Sequence, residues 1–145
     1  MLEFGEKAPG VQYKDRIGAY AIIRNEKGLF ALADVEGLYF LPGGALEHSE
    51  SPEEATIREA LEEIGAAISI TQKIGEASEY LYQESSDTYF RKIQTFFEAK
   101  IEKIVGAGIE SDHKLAWVTL QEAKIHMRQT SHVWAIEQLI SKSQK

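Results

Sequence analysis

Residues 44–66 read GALEHSESPEEATIREALEEIGA and hold Glu50, Arg58, Glu59, Glu62, Glu63 and two glycines, Gly44 and Gly65, at fixed offsets. On a helix, at about 100° per residue, Glu59, Glu62 and Glu63 fall within an arc of roughly 100°. Glu59–Glu63 and Glu59–Glu62 are like-charge i,i+4 and i,i+3 pairs, each costing about 0.2–0.5 kcal/mol on an isolated helix. Glu62 and Glu63 also sit where the helix dipole opposes anions by about 0.3–1 kcal/mol each. The arrangement costs on the order of 1–2 kcal/mol unless a positive charge sits among the carboxylates. Hard carboxylate oxygens in an open cluster suit Mg²⁺, Mn²⁺ or Ca²⁺, and a bound divalent ion points on to phosphate chemistry. Three glutamates alone also describe a solvated acidic face. The seven positions together would coincide about once in 10⁸ starts at ordinary residue usage.

The element that must carry these carboxylates is well punctuated. Ser51 can cap, Pro52 suits the first helical position, and Glu54 completes a capping box. Gly65 is a natural terminator. The spacing predicts a helix over Pro52–Ile64, with Ile57, Ala60, Leu61 and Ile64 on its buried face and the three carboxylates outward.

Around it, strands are expected over residues 17–23, 29–35 and 38–41, the first two as a hairpin about the turn at 25–28. Three more strands are expected over 67–73, 76–83 and 88–101. A Gly-containing loop over 103–114 leads to a short strand at 115–118, and helices are expected over 120–127 and 132–141. Residues 1–10 read as partly loose around Pro9-Gly10. Strands with few, unevenly placed helices suggest an α/β chain whose mixed sheet carries helices on both faces.

At 145 residues and 43% hydrophobic, the chain fits a single domain over 1–145 with an ordinary core. Without cysteine, disulfides, thiolate catalysis and Cys-ligated zinc are excluded. The absence of a membrane-length apolar run or signal-peptide layout makes a soluble, cytoplasmic protein the expectation, with no membrane partner. A net charge of −7 argues against a nucleic-acid polymer as partner, and leaves a small phosphorylated substrate bridged by cations.

The stretch resembles the signature of the Nudix hydrolases, the MutT-type box G-x5-E-x7-R-E-U-x-E-E-x-G-U, where U is a bulky aliphatic residue. All seven charged and glycine positions match; Ala60 and Ala66 at the U positions are smaller than usual. Leu41-Pro42-Gly43-Gly44 and Glu47 resemble the usual lead-in. The resemblance implies an α/β/α sandwich and Mg²⁺- or Mn²⁺-dependent water attack on a nucleoside diphosphate linked to another moiety. It implies Glu59 and Glu63 as core metal ligands, with Glu62 as a further one and the Gly43 carbonyl completing the site. Glu50 and Arg58 would brace the loop against the helix, while Gly44 and Gly65 are structural. The general base would be Glu59 or a loop acid outside the box, with Glu110 as the first candidate and Asp112 and Glu98 behind it.

The compact length resembles MutT-like (d)NTP pyrophosphohydrolases, so a (d)NTP or related small nucleotide is the expected substrate. Dinucleoside polyphosphates and nucleotide sugars are the alternatives, and a non-catalytic Nudix-fold ligand sensor is the alternative from a different class. Gly43, where dinucleoside-polyphosphate hydrolases typically have lysine, argues against that group. Arg24, Tyr82 and His113 are the weak candidates for substrate contact. Tyr80, Tyr82, Tyr89 and Phe90 read chiefly as cross-strand pairs and Trp117 and Trp134 as core. His48 reads as a solvated loop residue, His126 and His132 as surface or packing residues, and Arg16 and Arg24 as turn-flanking charges. A homodimer is compatible with the family, although no residue establishes one.

Overall fold

The computed structural model describes residues 1–106 and 113–143. Glu110 and Asp112 lie outside the described residues. Strands β1 (Leu2–Phe4), β2 (Lys14–Ile23), β3 (Phe30–Val35), β4 (Leu38–Phe40) and β5 (Gly43–Ala45) lead into helix α1 (Pro52–Ile64). Then follow β6 (Ala66–Gln83), a 3-10 turn (Glu84–Ser86), β7 (Thr88–Ile104), β8 (His113–Val118), α2 (Leu120–His126) and α3 (Thr130–Ser143).

Among the described residues the strands form two sheets, ordered β1-β6-β7-β2-β5 and β4-β3-β8. The larger is mixed: β2 runs parallel to β7 and antiparallel to β5, and β1 runs parallel to β6. Period-two alternation sends the central strands' side chains to two cores. Tyr20, Ile22, Phe30, Leu32 and Phe96 join Ala135, Ile136 and Leu139 of α3. Ala21, Ile23, Ala31 and Ala33 join Ala60 and Ile64 of α1. Helices therefore cover both sides, as the mixed α/β reading expected.

Several elements depart from the sequence expectation. The turn at Asn25 forms, with its Oδ1 accepting the Lys27 and Leu29 N–H groups at 3.0 and 2.9 Å. Beyond one bridge between Arg24 and Phe30, however, β2 and β3 diverge into different sheets instead of forming a hairpin. The two strands expected over 67–83 are one strand, β6, bent by register shifts at Ile70/Gln72 and Lys73/Gly75. A Cβ on Gly75 would lie 3.2 Å from the Trp134 Cη2, so the missing side chain makes room for that ring. Residues 2–4, expected to be loose, pair with β6. Trp117 is exposed on β8, whereas Trp134 packs on Phe4 and Phe96. No described helix is long and apolar enough to cross a membrane.

Candidate active site

Helix α1 has the expected bounds. Ser51 and Glu54 form the reciprocal capping box, and Gly65 closes the helix in the left-handed conformation at φ +65°. Its orientation differs from the expectation. Ile57 and Leu61 are 41% and 45% exposed, while Ala55, Thr56 and Ala60 are fully buried and Glu63 is only 6% exposed. The small side chains let the helix lie close to the sheets, which turns Glu63 inward. A buried carboxylate needs partners. Glu63 Oε1 accepts the Gly43 backbone N–H at 2.7 Å, and its Oε2 stands 3.1 Å from His113 Nδ1 on β8.

Two glycines shape the loop that receives these acids. Gly43 holds φ +153°, and a Cβ there would come within 2.7 Å of the Tyr20 Cα. A Cβ on Gly44 would sit 3.0 Å from the Glu59 carboxylate carbon. Glu59 thus lies against Gly44 while Glu63 holds Gly43, and neighbouring Cα atoms are about 3.8 Å apart. The first and last carboxylates of the Glu59, Glu62 and Glu63 set meet on one bend.

Arg58 organises the rest. Its Nε and Nη2 grip Glu50 at 2.7 and 3.0 Å in the two-pronged geometry that favours guanidinium. Nη1 reaches Glu59 at 3.0 Å, Glu62 at 3.1 Å and Glu47 at 3.3 Å, and Nη2 also donates to the Ala45 carbonyl at 3.2 Å. Glu50 in turn accepts the Glu47 N–H at 2.8 Å. The Arg58 hydrogen bond, with that backbone bond, holds the Glu50 carboxyl below the usual carboxylate range. The guanidinium's own proton is held more tightly still, first by Glu50.

One guanidinium thus stands among four carboxylates, with Glu63 adjacent. That excess of negative charge, all on hard oxygen donors and, Glu47 apart, largely shielded from solvent, fits a divalent cation. Among the described residues no three acidic or histidine side chains are already gathered as a metal cage. Glu59 and Glu62 instead share Arg58 Nη1, from which they would turn to hold an ion.

The other sequence candidates are dispersed. Arg24 donates to Ser143 Oγ at 2.9 Å, and Arg16 lies over Phe90 with its guanidinium carbon 5.7 Å from the ring centroid. Glu98 accepts from Thr71 and Gln72. His126 packs edge-on against Tyr39. Tyr82 pairs with Tyr89 across β6 and β7 and donates to Asp87 at 2.8 Å. It also lines a cleft of about 620 Å³ with Phe40, Phe90, Lys92, Arg128 and Gln129.

Sequence reasoning missed this cleft and the polar network beneath it. Glu79 accepts from Thr130 and Ser131, including a short bond from Ser131 Oγ. Ser131 accepts from Gln94 Nε2 at 2.9 Å, and Gln94 Oε1 meets His132 Nε2 at 2.8 Å. The Leu41 N–H reaches His132 Nδ1 at 3.4 Å. The available signal was alternation: Phe90, Lys92, Gln94 and Phe96 share one strand face. Two polar residues between two aromatics on such a face mark a buried polar function.

The NUDIX domain family model matches residues 14–139. The chain belongs to the Nudix family. The matched span includes residues 44–66. A Bacillus subtilis (strain 168) protein named "Putative 8-oxo-dGTP diphosphatase" is 38% identical over 79 residues, 52% of each chain. The match thus spans about half the length of that relative. A NUDIX hydrolase from Nitrosomonas europaea superposes with a TM-score of 0.73 at 19% identity, covering 89% of this chain and 90% of its own. The MutT protein from Methanosarcina mazei Go1 superposes with a TM-score of 0.69 at 24% identity, covering 94% and 100%. Those two likenesses establish the shared Nudix fold.

Proposed function

We propose that this protein is a divalent-metal-dependent pyrophosphohydrolase, cleaving a nucleoside diphosphate linked to another moiety. The observation that carries the reading is the meeting of Glu59 and Glu63 on the Gly43-Gly44 bend, beside a single guanidinium. Glu59, Glu63 and Glu62, with the Gly43 carbonyl, would hold Mg²⁺ or Mn²⁺. Such an ion supplies charge for the diphosphate and lowers the pKa of attacking water.

The chain's own groups have separable tasks. Arg58 and Glu50 tie the loop to the helix and keep Glu59 and Glu62 poised. Gly43 and His113 fix the two oxygens of Glu63. Glu59 or Glu110 takes the proton from the attacking water. A (d)NTP or related small nucleotide is the first substrate class, supported by the partial likeness to the B. subtilis protein. Dinucleoside polyphosphates and nucleotide sugars are the second.

The test is phosphate or pyrophosphate release across (d)NTPs, dinucleoside polyphosphates and sugar nucleotides, with Mg²⁺ and with excess chelator. Turnover should need the ion and fall at least 100-fold in Glu63→Gln. Full turnover in chelator, or unchanged turnover in the variant, would exclude the reading.

A further inference from the structure

The cleft lined by Phe40, Tyr82, Phe90, Lys92, Arg128 and Gln129 has a chemistry of its own. Phe40 lies three residues before Gly43, so the cleft begins at most about 11 Å along the chain from the bend that holds Glu63. Tyr20, buried on β2, lies within reach of the charges of Arg16, Glu63, Glu59 and Glu79.

Lys92 and Arg128 are the cations in the cleft lining, and the Arg16 guanidinium lies over the Phe90 ring behind it. Lys92 and Arg128 form no ion pair among the described residues. Glu79 is the register partner of Lys92, but its carboxylate is committed to Thr130 and Ser131 at the start of α3. Glu84, on the 3-10 turn, is the carboxylate in the lining itself. Burial, and then the Arg16 charge, press the Lys92 ammonium down to about 8, with Glu79 pulling the other way and Arg128 adding a smaller push. Three cations thus converge on a chain whose net charge is −7.

Gln129 adds an independent signal. It is 5% exposed and its Oε1 accepts no hydrogen bond. A buried acceptor left unmet costs about 1–3 kcal/mol, so it calls for an N–H or O–H from whatever fills the cleft. Tyr82 and Phe90 supply flat apolar faces for a ring.

We propose that this cleft takes an end of the nucleotide substrate whose ring carries its own anionic group, a ring-borne phosphate or a carboxylate. The anion sits on Lys92 and Arg128, the ring lies against Tyr82 and Phe90, and a ring N–H or O–H donates to Gln129 Oε1. The proposal rests on the hydrolase reading and narrows it: within any substrate class, the member with the extra charge at that end is preferred.

The experiment is titration calorimetry in EDTA, which needs no turnover, on two matched pairs. UDP-glucuronate against UDP-glucose reads the carboxylate, and NADPH against NADH reads the ribose phosphate. In at least one pair the charged member should bind at least tenfold more tightly. That ratio should fall below threefold in Lys92→Met and in Arg128→Met; the latter change is at an exposed side chain and keeps the test open should Lys92→Met reshape the cleft. Equal binding within both pairs, tighter binding of the members without the extra charge, or a ratio that survives Arg128→Met would overturn the proposal. A charge preference with no Mg²⁺-dependent hydrolysis would sink the hydrolase reading and leave the cleft assignment standing. Hydrolysis without a charge preference would do the reverse.

Discussion

The Gly43 backbone N–H donates to Glu63 Oε1 at 2.7 Å, so the glycine loop and the last carboxylate of the box hold each other in place. The bond fixes the Glu63 rotamer and leaves Oε2 toward His113 Nδ1. It forms because Gly43, at φ +153°, lets the chain pass between β2 and α1 where a side chain would collide with Tyr20.

Gly43→Ala should therefore harm both stability and turnover. Overpacking costs about 1–3 kcal/mol, and at this chain length about 2–4 °C of melting temperature goes with each kcal/mol, giving a fall of roughly 2–12 °C. Turnover should fall at least tenfold as Glu63 loses its anchor. Thermal melts and a rate assay check this; a variant with wild-type values for both would refute the role given to the bond.

Arg58→Ala removes the cation shared by Glu47, Glu50, Glu59 and Glu62. Hydrogen bonds to charged groups are worth about 1.5–3 kcal/mol, so a loss of about 2 kcal/mol is expected in EDTA. Saturating Mg²⁺, at about 100 times its dissociation constant, should restore roughly 2.7 kcal/mol. The restoration should be at least as large as in the unsubstituted protein, since Nη1 no longer competes for Glu59 and Glu62. It should vanish when Glu59 and Glu63 are both changed to Gln. Melting with and without Mg²⁺ decides, and a metal gain that persists in the double variant would place the ion elsewhere.

His132 is fully buried, and burial, with the nearby Lys92 charge, holds its pKa well below the ordinary histidine value. Because the Leu41 N–H can only donate, Nδ1 accepts and Nε2 donates to Gln94, so the ring is neutral. The unfolded chain takes up this proton near pH ~6.5 and the folded chain does not. Stability from this group is therefore complete above about pH 6.5 and is lost as pH falls toward the folded pKa, by up to about 1.4 kcal/mol per pH unit. His132→Asn, which can still accept from Leu41, should show a shallower loss between about pH 6.5 and 5. Parallel melting-against-pH curves for the two proteins would contradict this.

Lys92 carries the same sign at higher pH. Its folded pKa of about 8 lies below the unfolded value near 10.4, so the unfolded state binds more protons between them. Stability should rise with pH across that window and be lost as pH falls through about 8. Lys92→Met should be the more stable protein at pH 7, with the difference closing by about pH 10. A constant difference across that range would show that Lys92 does not titrate there.

How far the sequence could be read depended on what kind of signal each feature leaves. The bounds of α1 were legible because capping and termination are local chemistry, written in Ser51, Pro52, Glu54 and Gly65. The face it buries was not. Aliphatic periodicity favoured Ile57 and Leu61, but close packing through Ala55, Thr56 and Ala60 and a backbone donor at Gly43 turned Glu63 inward. Those partners lie elsewhere in the chain and leave no local mark. The pairing of residues 2–4 with β6 and the separation of β2 from β3 are likewise settled by distant partners. The box named its acids, but not that Arg58 Nη1 sits between Glu59 and Glu62.

The most direct measurement is a manganese anomalous difference map from crystals grown with Mn²⁺ and a nucleotide diphosphate. The expected result is a peak about 2.0–2.2 Å from oxygens of both Glu59 and Glu63, with Glu59 turned away from Arg58. A map with no peak there, and both glutamates still on Arg58 and Gly43 while the nucleotide is bound, would contradict the account.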